Sequence, residues 1–451
     1  MQNENDDSEK ICTEQYIKSG GKNLRCGFTT GSAAAMATLA STKAALGGKF
    51  IEYARITTPK GWSAVSEVLA GTIISENCAK CSIKKDAGDD PDATDGIEIS
   101  SKVTINEISE NRENTENDRN EEEDRVKIKI KGGRGIGIVT KKGLDQNVGE
   151  HAINSVPRKM IKKAVTDAIE EAENAGKCGE KKRYDVEVEI SAANGEEIAK
   201  NTFNPVLGIK GGISILGTTG VVTPMSEEAL VESIFVEMKV LKSNFKSNFK
   251  NKLKNNETDF FPLIITPGNF GSDFLKNFPE LEDAPVVHCS NFIGKAIDFA
   301  VELGFTHVMF VGHAGKFVKL AGGIMNTHSH NADCRMEIIA SHAALTAFDK
   351  LTQTDIASIM DAATVDAAFD ILDETDSTST VSKSIMNAAM KHIARRSMNK
   401  FSFAFLMFSN AANRGILASS RNWKSMLELF RQGLPDSQTT QQSEADRSSE
   451  P

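Results

Sequence analysis

The 451-residue sequence predicts an α+β domain followed by an α/β domain with a mostly parallel, Rossmann-like sheet and C-terminal helices. A change of pattern along the chain carries that prediction. Between residues 51 and 191, Val/Ile alternation with Gly or Pro boundaries marks the strands of an antiparallel or mixed sheet. From residue 213, short continuous apolar runs alternate with helical stretches, the pattern of a parallel sheet covered on both faces. The boundary is placed between 205 and 206, giving domains over 22–205 and 206–434.

In the first domain, LRCGFTTGSAAAMATLASTKAALGG (24–48) predicts a helix capped by Thr30 or Ser32 and stopped at Gly47-Gly48. Its small side chains allow close packing, and its first turn presents free backbone N–H groups. Strands are predicted at IEYARITTP (51–59), WSAVSEVLAG (62–71), CSIKKDAG (81–88), IEISSKVTI (97–105), VKIKIKGG (126–133) and YDVEVEIS (184–191). VPRKMIKKAVTDAIEEAE (156–173) predicts a helix.

In the second domain the apolar runs are ISIL (213–216), LIIT (263–266), VVH (286–288) and HVMFVG (307–312). Helices are predicted at SEEALVESIFVEMKVLK (226–242) and NFIGKAIDFAVELG (291–304), and beyond 333 the chain reads as helix to about 433. Each run ends in a turn of small or polar residues. These turns are Gly217-Thr218-Thr219-Gly220, Pro267-Gly268-Asn269 with Gly271, His288-Cys289-Ser290-Asn291, and Gly312-His313-Ala314-Gly315-Lys316. Strand carboxyl ends in an open α/β sheet form its ligand crevice, and helix N-termini behind them suit an anionic or nucleotide-like ligand. Glycines that only make tight turns are the plainer reading.

Formal net charge is −9, so a polyanion would need a local basic pocket. Arg134, Lys141, Lys142, Arg158 and Lys159 form one basic cluster, and Lys316, Lys319 and Arg335 another. Residues 1–21, 106–125 and 435–451 carry little to bury and are expected to be disordered. The Lys-rich 242–256 reads as a solvated insert, and a nucleic-acid arm there lacks interleaved aromatics. No apolar run has membrane-spanning length and no signal peptide precedes the polar N-terminus, so a cytoplasmic protein is expected. Seven scattered cysteines fit a reducing compartment, and Cys78 with Cys81 has no second pair to complete a zinc site.

The stretch GHAGKFVKLAGGIMNTHSHNADCR (312–335) raises a metal or nucleophilic site. His313, His328, His330 and Asp333 would be the ligands of a metal-dependent hydrolase. Gly315-Lys316 fails the P-loop pattern, GGRGIGIVT (132–140) misses the third glycine of a dinucleotide fingerprint, and neither GxSxG nor HExxH occurs.

Seven segments together resemble the CbiD family, cobalt-precorrin-5B C1-methyltransferases of anaerobic cobalamin biosynthesis. They are LRCGFTTGSAAA (24–35), KKDAGDDPDATDG (84–96), GRGIGIVTKKGL (133–144), VGEHAINSVPRKMI (148–161), TFNPVLGIKGGISILGTTGVVTPMSEEAL (202–230), TPGNFG (266–271) and GHAGKFVKLAGGIMNTHS (312–329). The resemblance implies transfer of a methyl group from S-adenosyl-L-methionine to ring carbon C1 of a cobalt-containing tetrapyrrole. Cobalt would come with the substrate, and the macrocycle's carboxylate arms would explain basic residues in an acidic protein. A non-catalytic tetrapyrrole carrier is the other reading, and a homo-oligomer is compatible with it or with the enzyme.

On this resemblance, substrate contacts are expected at Thr29, Thr30, Arg134, Lys141, Arg158, Lys316, Lys319, Asn326 and Thr327. Donor contacts are expected at the strand-end turns Gly217, Thr218, Thr219, Gly220, Gly268 and Asn269. Asp86, Asp89, His313 and His328 are the candidates for a base, and no protein-held metal is expected. Where family members often carry a cysteine after the first Thr-Gly-Ser, this chain has Ala33, and it has His330 and Cys334 where Arg and Gly are common. The acidic-then-GxGxG signature of many methyltransferases is absent.

Overall fold

The computed structural model describes residues 15–19, 21–108, 125–176, 182–249, 260–411 and 414–433, without the side chains of 19 and 246–249. The chain divides into two compact units between Ser226 and Glu227. The expected insert and tails at 109–124, 250–259 and 434–451 lie outside the described residues, as do 1–14. Tyr16–Ser19, placed by the sequence in a disordered tail, instead pairs antiparallel with Lys22–Arg25.

In the first unit, helix α1 (Thr30–Gly47) ends at Gly48, whose left-handed φ of 64° suits glycine. Six strands follow the order β1 (Tyr53–Thr57), β2 (Ser63–Ser75), β3 (Cys78–Lys84), β4 (Glu98–Ile108), β7 (Arg183–Ala192) and β5 (Val126–Gly132) across the sheet. All neighbours are antiparallel except β7 and β5, so the sheet is mixed. Along β7, Tyr184, Val186, Val188, Ile190 and Ala192 alternate inward. They meet α1 and helix α2 (Ser155–Asn174) in one core. Buried Ala33, Ala34, Ala37, Ala40 and Ala44 let α1 lie close to α2 and the sheet at once. Three antiparallel segments flank this core: 149–152, β6 (Ile138–Val139) and β8 (Ile209–Lys210).

The run ISIL (213–216) belongs to this unit and not to the parallel sheet. Ile213 and Ile215 bridge Ile136 and Ile153 and are buried with them. A four-residue apolar run has no period of its own, and here its partners lie upstream. The unit therefore extends about twenty residues past the expected boundary.

The second unit opens with helix α3 (Glu227–Phe249), which takes in the start of the expected Lys-rich insert. Its elements then run β9 (Pro262–Thr266), α4 (Asn269–Leu275), β10 (Val286–His288), α5 (Ile293–Glu302), β11 (His307–His313) and α6 (Ala314–Ala321). They continue through α7 (Arg335–Thr346), α8 (Gln353–Met360), α9 (Val365–Glu374) and α10 (Thr378–Arg396). The last elements are β12 (Ser402–Ser409), β13 (Gly415–Ser419) and α11 (Trp423–Gly433). Strand order is β10-β9-β11-β12-β13, parallel except for β13. Leu275 of α4 and Trp423, Met426 and Phe430 of α11 fill one face. Residues of α3, α5, α6, α7, α8, α9 and α10 fill the other. The predicted mixed sheet followed by a mostly parallel, helix-covered sheet is thus the observed class.

FSFAFLMF (401–408) was expected as the end of a long helix and is strand β12. Ala404 through Phe408 are buried from both faces, so no alternation marks it as strand. The break shows in the left-handed Met398 and Asn399, which end α10 before it.

Candidate functional site

In the first unit, Thr29 turns the chain into α1, and its Oγ1 accepts the Ser32 N–H at 3.2 Å. The turn 214–220 closes over this helix end. Gly31 N–H donates to Leu216 O at 3.0 Å, and Ser32 Oγ donates to Gly220 O at 2.6 Å. Thr30 Oγ1 accepts the Leu216 N–H at 2.9 Å. Gly217 sits at φ 129°, and a Cβ there would press into Thr29. Thr29 and Thr30, both expected on substrate, are buried: the Thr29 hydroxyl caps α1 itself, and the Thr30 hydroxyl latches this turn to the helix. The Leu216 and Gly220 carbonyls accept donors from the start of α1, so part of that helix end is occupied by its own chain.

The expected bases Asp86 and Asp89 also hold the fold. Arg25 grips Asp86 through two bonds of 2.5 and 2.7 Å, while Asp89 accepts the Arg25 N–H at 2.7 Å. The Arg25 guanidinium hydrogen-bonds the Asp86 carboxylate and holds its pKa below the ordinary value, against burial. A carboxylate so stabilised is a weak base. Arg158 donates from Nε to Ile153 O at 2.8 Å and from Nη1 to Ile130 O at 3.1 Å, bracing the main chain. Arg134 and Lys141 are exposed, with Lys141 Nζ 3.4 Å from Val206 O.

In the second unit, the chain passes from β9 outward to β10, then returns past β9 to β11 and β12. α4 leaves β9 on one face and α6 leaves β11 on the other. That reversal makes the carboxyl ends of β9 and β11 a topological switch point, where open α/β sheets bind ligands. Gly268 lies there at φ 100°, with open space where a Cβ would stand. Phe270 is 63% exposed, its ring 5.9 Å from that of His313. Phe408 meets His313 edge-on at 5.7 Å. His313 caps α6, its Nδ1 accepting the Gly315 N–H at 3.1 Å, so the neutral ring carries its proton on Nε2. Burial lowers its pKa, and Asp366 acts in the opposite direction.

Lys316 ties three turns of this end together. Its Nζ donates to Pro267 O at 3.3 Å and Ser290 O at 3.2 Å, and burial lowers its pKa. Ser272 Oγ meets His288 Nε2 at 2.5 Å beside it. Ser409, at the end of β12, donates to Asp366 at 2.6 Å. Phe270, Phe408, Ser409 and Asp366 were not anticipated from sequence.

Lys319, expected on substrate, lies in the interior. It is 2% exposed, and its Nζ donates to Thr327 O at 3.1 Å and Ala332 O at 2.8 Å. Thr327 is buried against Asn291, and Asn326 Oδ1 accepts the His328 N–H at 3.2 Å. Asn326 therefore shapes its own turn, and Thr327 ties that turn to Asn291. His328 and His330 are exposed with ring centroids 6.4 Å apart, and Asp333 pairs with Arg335. Among the described residues, no three His, Cys, Asp or Glu side chains gather as a metal site. The hydrolase reading therefore lacks a donor set.

Cys289 is fully buried, and burial pushes its thiol up to about 12, while Cys334 is exposed. The thiolate is the reactive form, and burial holds Cys289 as the thiol. Brief iodoacetamide treatment of the folded chain should alkylate Cys334 and spare Cys289 in a peptide map. Equal labelling would show that Cys289 is reachable.

The family model CbiD matches residues 17–224, and the model for the CbiD C-terminal domain matches 326–421. A cobalt-precorrin-5B C(1)-methyltransferase of Ruminiclostridium cellulolyticum is 44% identical, covering 88% of this chain and 92% of its own. The enzyme of that name from Thermoanaerobacter sp. is 41% identical over 80% of this chain and 86% of its own. A crystal structure of the cobalamin biosynthesis protein CbiD from Archaeoglobus fulgidus is 26% identical, covering 71% of this chain and 87% of that one. Its TM-score of 0.34 is too low for the folds to be compared. The chain belongs to the CbiD family.

Proposed function

We propose that this chain methylates C1 of cobalt-precorrin-5B in cobalamin biosynthesis, with S-adenosylmethionine as donor and cobalt-precorrin-6A as product. The observation that carries the reading is the likeness to enzymes of that activity, which extends through both units. The acceptor is an electron-rich ring carbon, so the protein supplies no nucleophile. Its contribution is to align that carbon with the methyl group and to keep water out.

The donor is assigned to the second unit, on the Rossmann-like reading of its sheet. The switch point there fits an adenosyl group. Gly268 gives the backbone room for close approach, the exposed Phe270 ring can stack a base, and Asn269 starts α4 beside it. Bound there, the donor would present a methyl carbon made electrophilic by its sulfonium. His313, neutral and donating from Nε2, can hold a polar group of a ligand without adding a second positive charge. Cobalt is substrate and needs no protein-held site.

Lys316 then acts on the donor side, by fixing the turns after β9 and β10. Lys316→Ala should weaken binding of S-adenosylhomocysteine about tenfold, the scale of losing charged hydrogen bonds. Calorimetry checks it, and unchanged affinity would remove Lys316 from the donor site.

The activity itself is tested by anaerobic incubation with cobalt-precorrin-5B and methyl-labelled S-adenosylmethionine. Label should enter the corrinoid as an equal amount of S-adenosylhomocysteine is formed. Tight corrinoid binding without transfer would establish the carrier instead.

A further inference from the structure

We infer that the outer face of the β8–β6–(149–152) ribbon in the first unit is a subsite for the carboxylate-bearing edge of the macrocycle. The inference rests on the proposed activity for the identity of its ligand. Strand register places the relevant side chains. Ile138 pairs antiparallel with Lys210 on one side and with His151 on the other. Directly opposed residues of antiparallel strands share a face, so Lys210, Ile138 and His151 form one row. The alternate residues Val139, Ile209 and Ala152 are buried beneath. The row is therefore the outward side of an amphipathic ribbon.

Its composition matches a flat apolar ring with anionic arms. Ile138 is 43% exposed in the middle of the row. The His151 ring lies over Gly132, where a Cβ would collide with it. Arg134, two residues further on, and Lys210 are exposed. Arg134, Lys210 and His151 have no hydrogen-bond or ion-pair partner for their side chains among the described residues. By contrast, Lys129 and Lys131 on nearby β5 pair with Asp185 and Glu189 of β7. The acids of the adjoining turn are themselves engaged: Asp145 accepts the Ser155 N–H at 2.5 Å, and Glu150 the Asn147 N–H at 3.1 Å. The unpaired Lys210 beside an exposed β-branched residue, with Arg134 two residues beyond Gly132, suits a polycarboxylate that covers the apolar surface while its arms reach the charges.

Cobyrinic acid, a stable corrinoid with free carboxylates, is the probe, and its heptamethyl ester is the uncharged control. In calorimetry with the full chain, Arg134→Ala and Lys210→Ala should each weaken cobyrinic acid binding about fivefold, the upper range of an exposed ion pair. The double variant should lose about twentyfold, and salt should weaken wild-type binding more than that of the variants. Ile138→Asp should weaken both the acid and the ester, and the acid more, because the new carboxylate repels its arms. S-adenosylhomocysteine affinity and the melting temperature should stay at wild-type values. Wild-type corrinoid affinity in the double variant and in Ile138→Asp would overturn the subsite. If wild type methylates cobalt-precorrin-5B and these variants keep its KM, the subsite falls while the activity stands. If wild type transfers no methyl group, it is the activity that falls.

Discussion

Replacing Lys319 with methionine should destabilise the second unit by about 3 kcal/mol, or lower its thermal transition by roughly 9 °C. The ammonium lies under the turn 322–334, donating to Thr327 O and Ala332 O with the Asp333 carboxylate 3.7 Å away. Methionine keeps the length of the side chain and its apolar stem, so the lost quantity is the pair of charged hydrogen bonds. It also leaves two carbonyls short of their donor, which is the larger penalty when such groups are buried. Differential scanning calorimetry and corrinoid binding, measured on one preparation, separate the two roles that a lysine here could have. A lowered transition with substrate affinity intact supports the structural role. An unmoved transition with weakened substrate binding would return Lys319 to the substrate site.

Lys319 also illustrates what could be read in the sequence. A lysine at 316 and another at 319 look alike in a string of letters, and both were expected on substrate. α6 turns them differently: the three-residue step places Lys316 half-buried over the turns after β9 and β10, and Lys319 in the interior. Nothing local distinguishes them, because the groups that receive each ammonium come from residues 267, 290, 327 and 332. The same limit applies to Thr29, Thr30 and the 217–220 turn. Glycines and small hydroxylated residues look alike whether they cradle a ligand or close over their own helix, and here they close over α1.

The elements themselves were more legible. Alternation with Gly or Pro boundaries marked β1 to β5 and β7, since each has one face on α1 and α2 and another face outward. Buried parallel strands have no such alternation. LIIT, VVH and HVMFVG were identified because helical stretches separate them. FSFAFLMF follows a helix without a turn signal and merged into it. Reading it as a helix concealed the site as well as the strand. Phe408 and Ser409 stand at the end of β12, and they bring one wall of the His313 surroundings and a partner for Asp366. The interval from 401 to 408 is strand length, and a run apolar on every side at that length is the one signal that pointed to them.

Breaking the Lys85–Asp92 pair is the other change expected to matter most. Lys85 is 1% exposed at its side chain, and Nζ meets Asp92 Oδ2 at 2.7 Å. Asp92 in turn accepts Thr94 N–H and Oγ–H at 2.7 Å each, which sets the turn of the acidic loop. That loop packs against residues 25–28, where Gly27 and Gly88 approach too closely for any side chain, and residues 25–28 lead directly into α1. Lys85→Met leaves a partly buried carboxylate without its cation and should cost about 3 kcal/mol, the low end for a buried pair because Asp92 retains some exposure. Asp92→Asn should cost a similar amount at neutral pH, since it leaves the more deeply buried ammonium unmatched. The pH dependence separates this pair from mere packing. Burial opposes ionisation of Asp92, but the Lys85 charge and the hydrogen bonds from Lys85 and Thr94 outweigh it and lower its pKa in the folded chain. A carboxyl with a depressed folded pKa contributes its stability above the unfolded pKa, about 3.9, and loses it as pH falls through the lower folded value. Urea unfolding of wild type should therefore weaken steeply below about pH 4, whereas Asp92→Asn, already weaker at pH 7, should show a shallower fall over that interval. Parallel pH curves for the two proteins would mean that Asp92 is not held ionised by Lys85, and the loop would then owe its position to the glycine contacts alone.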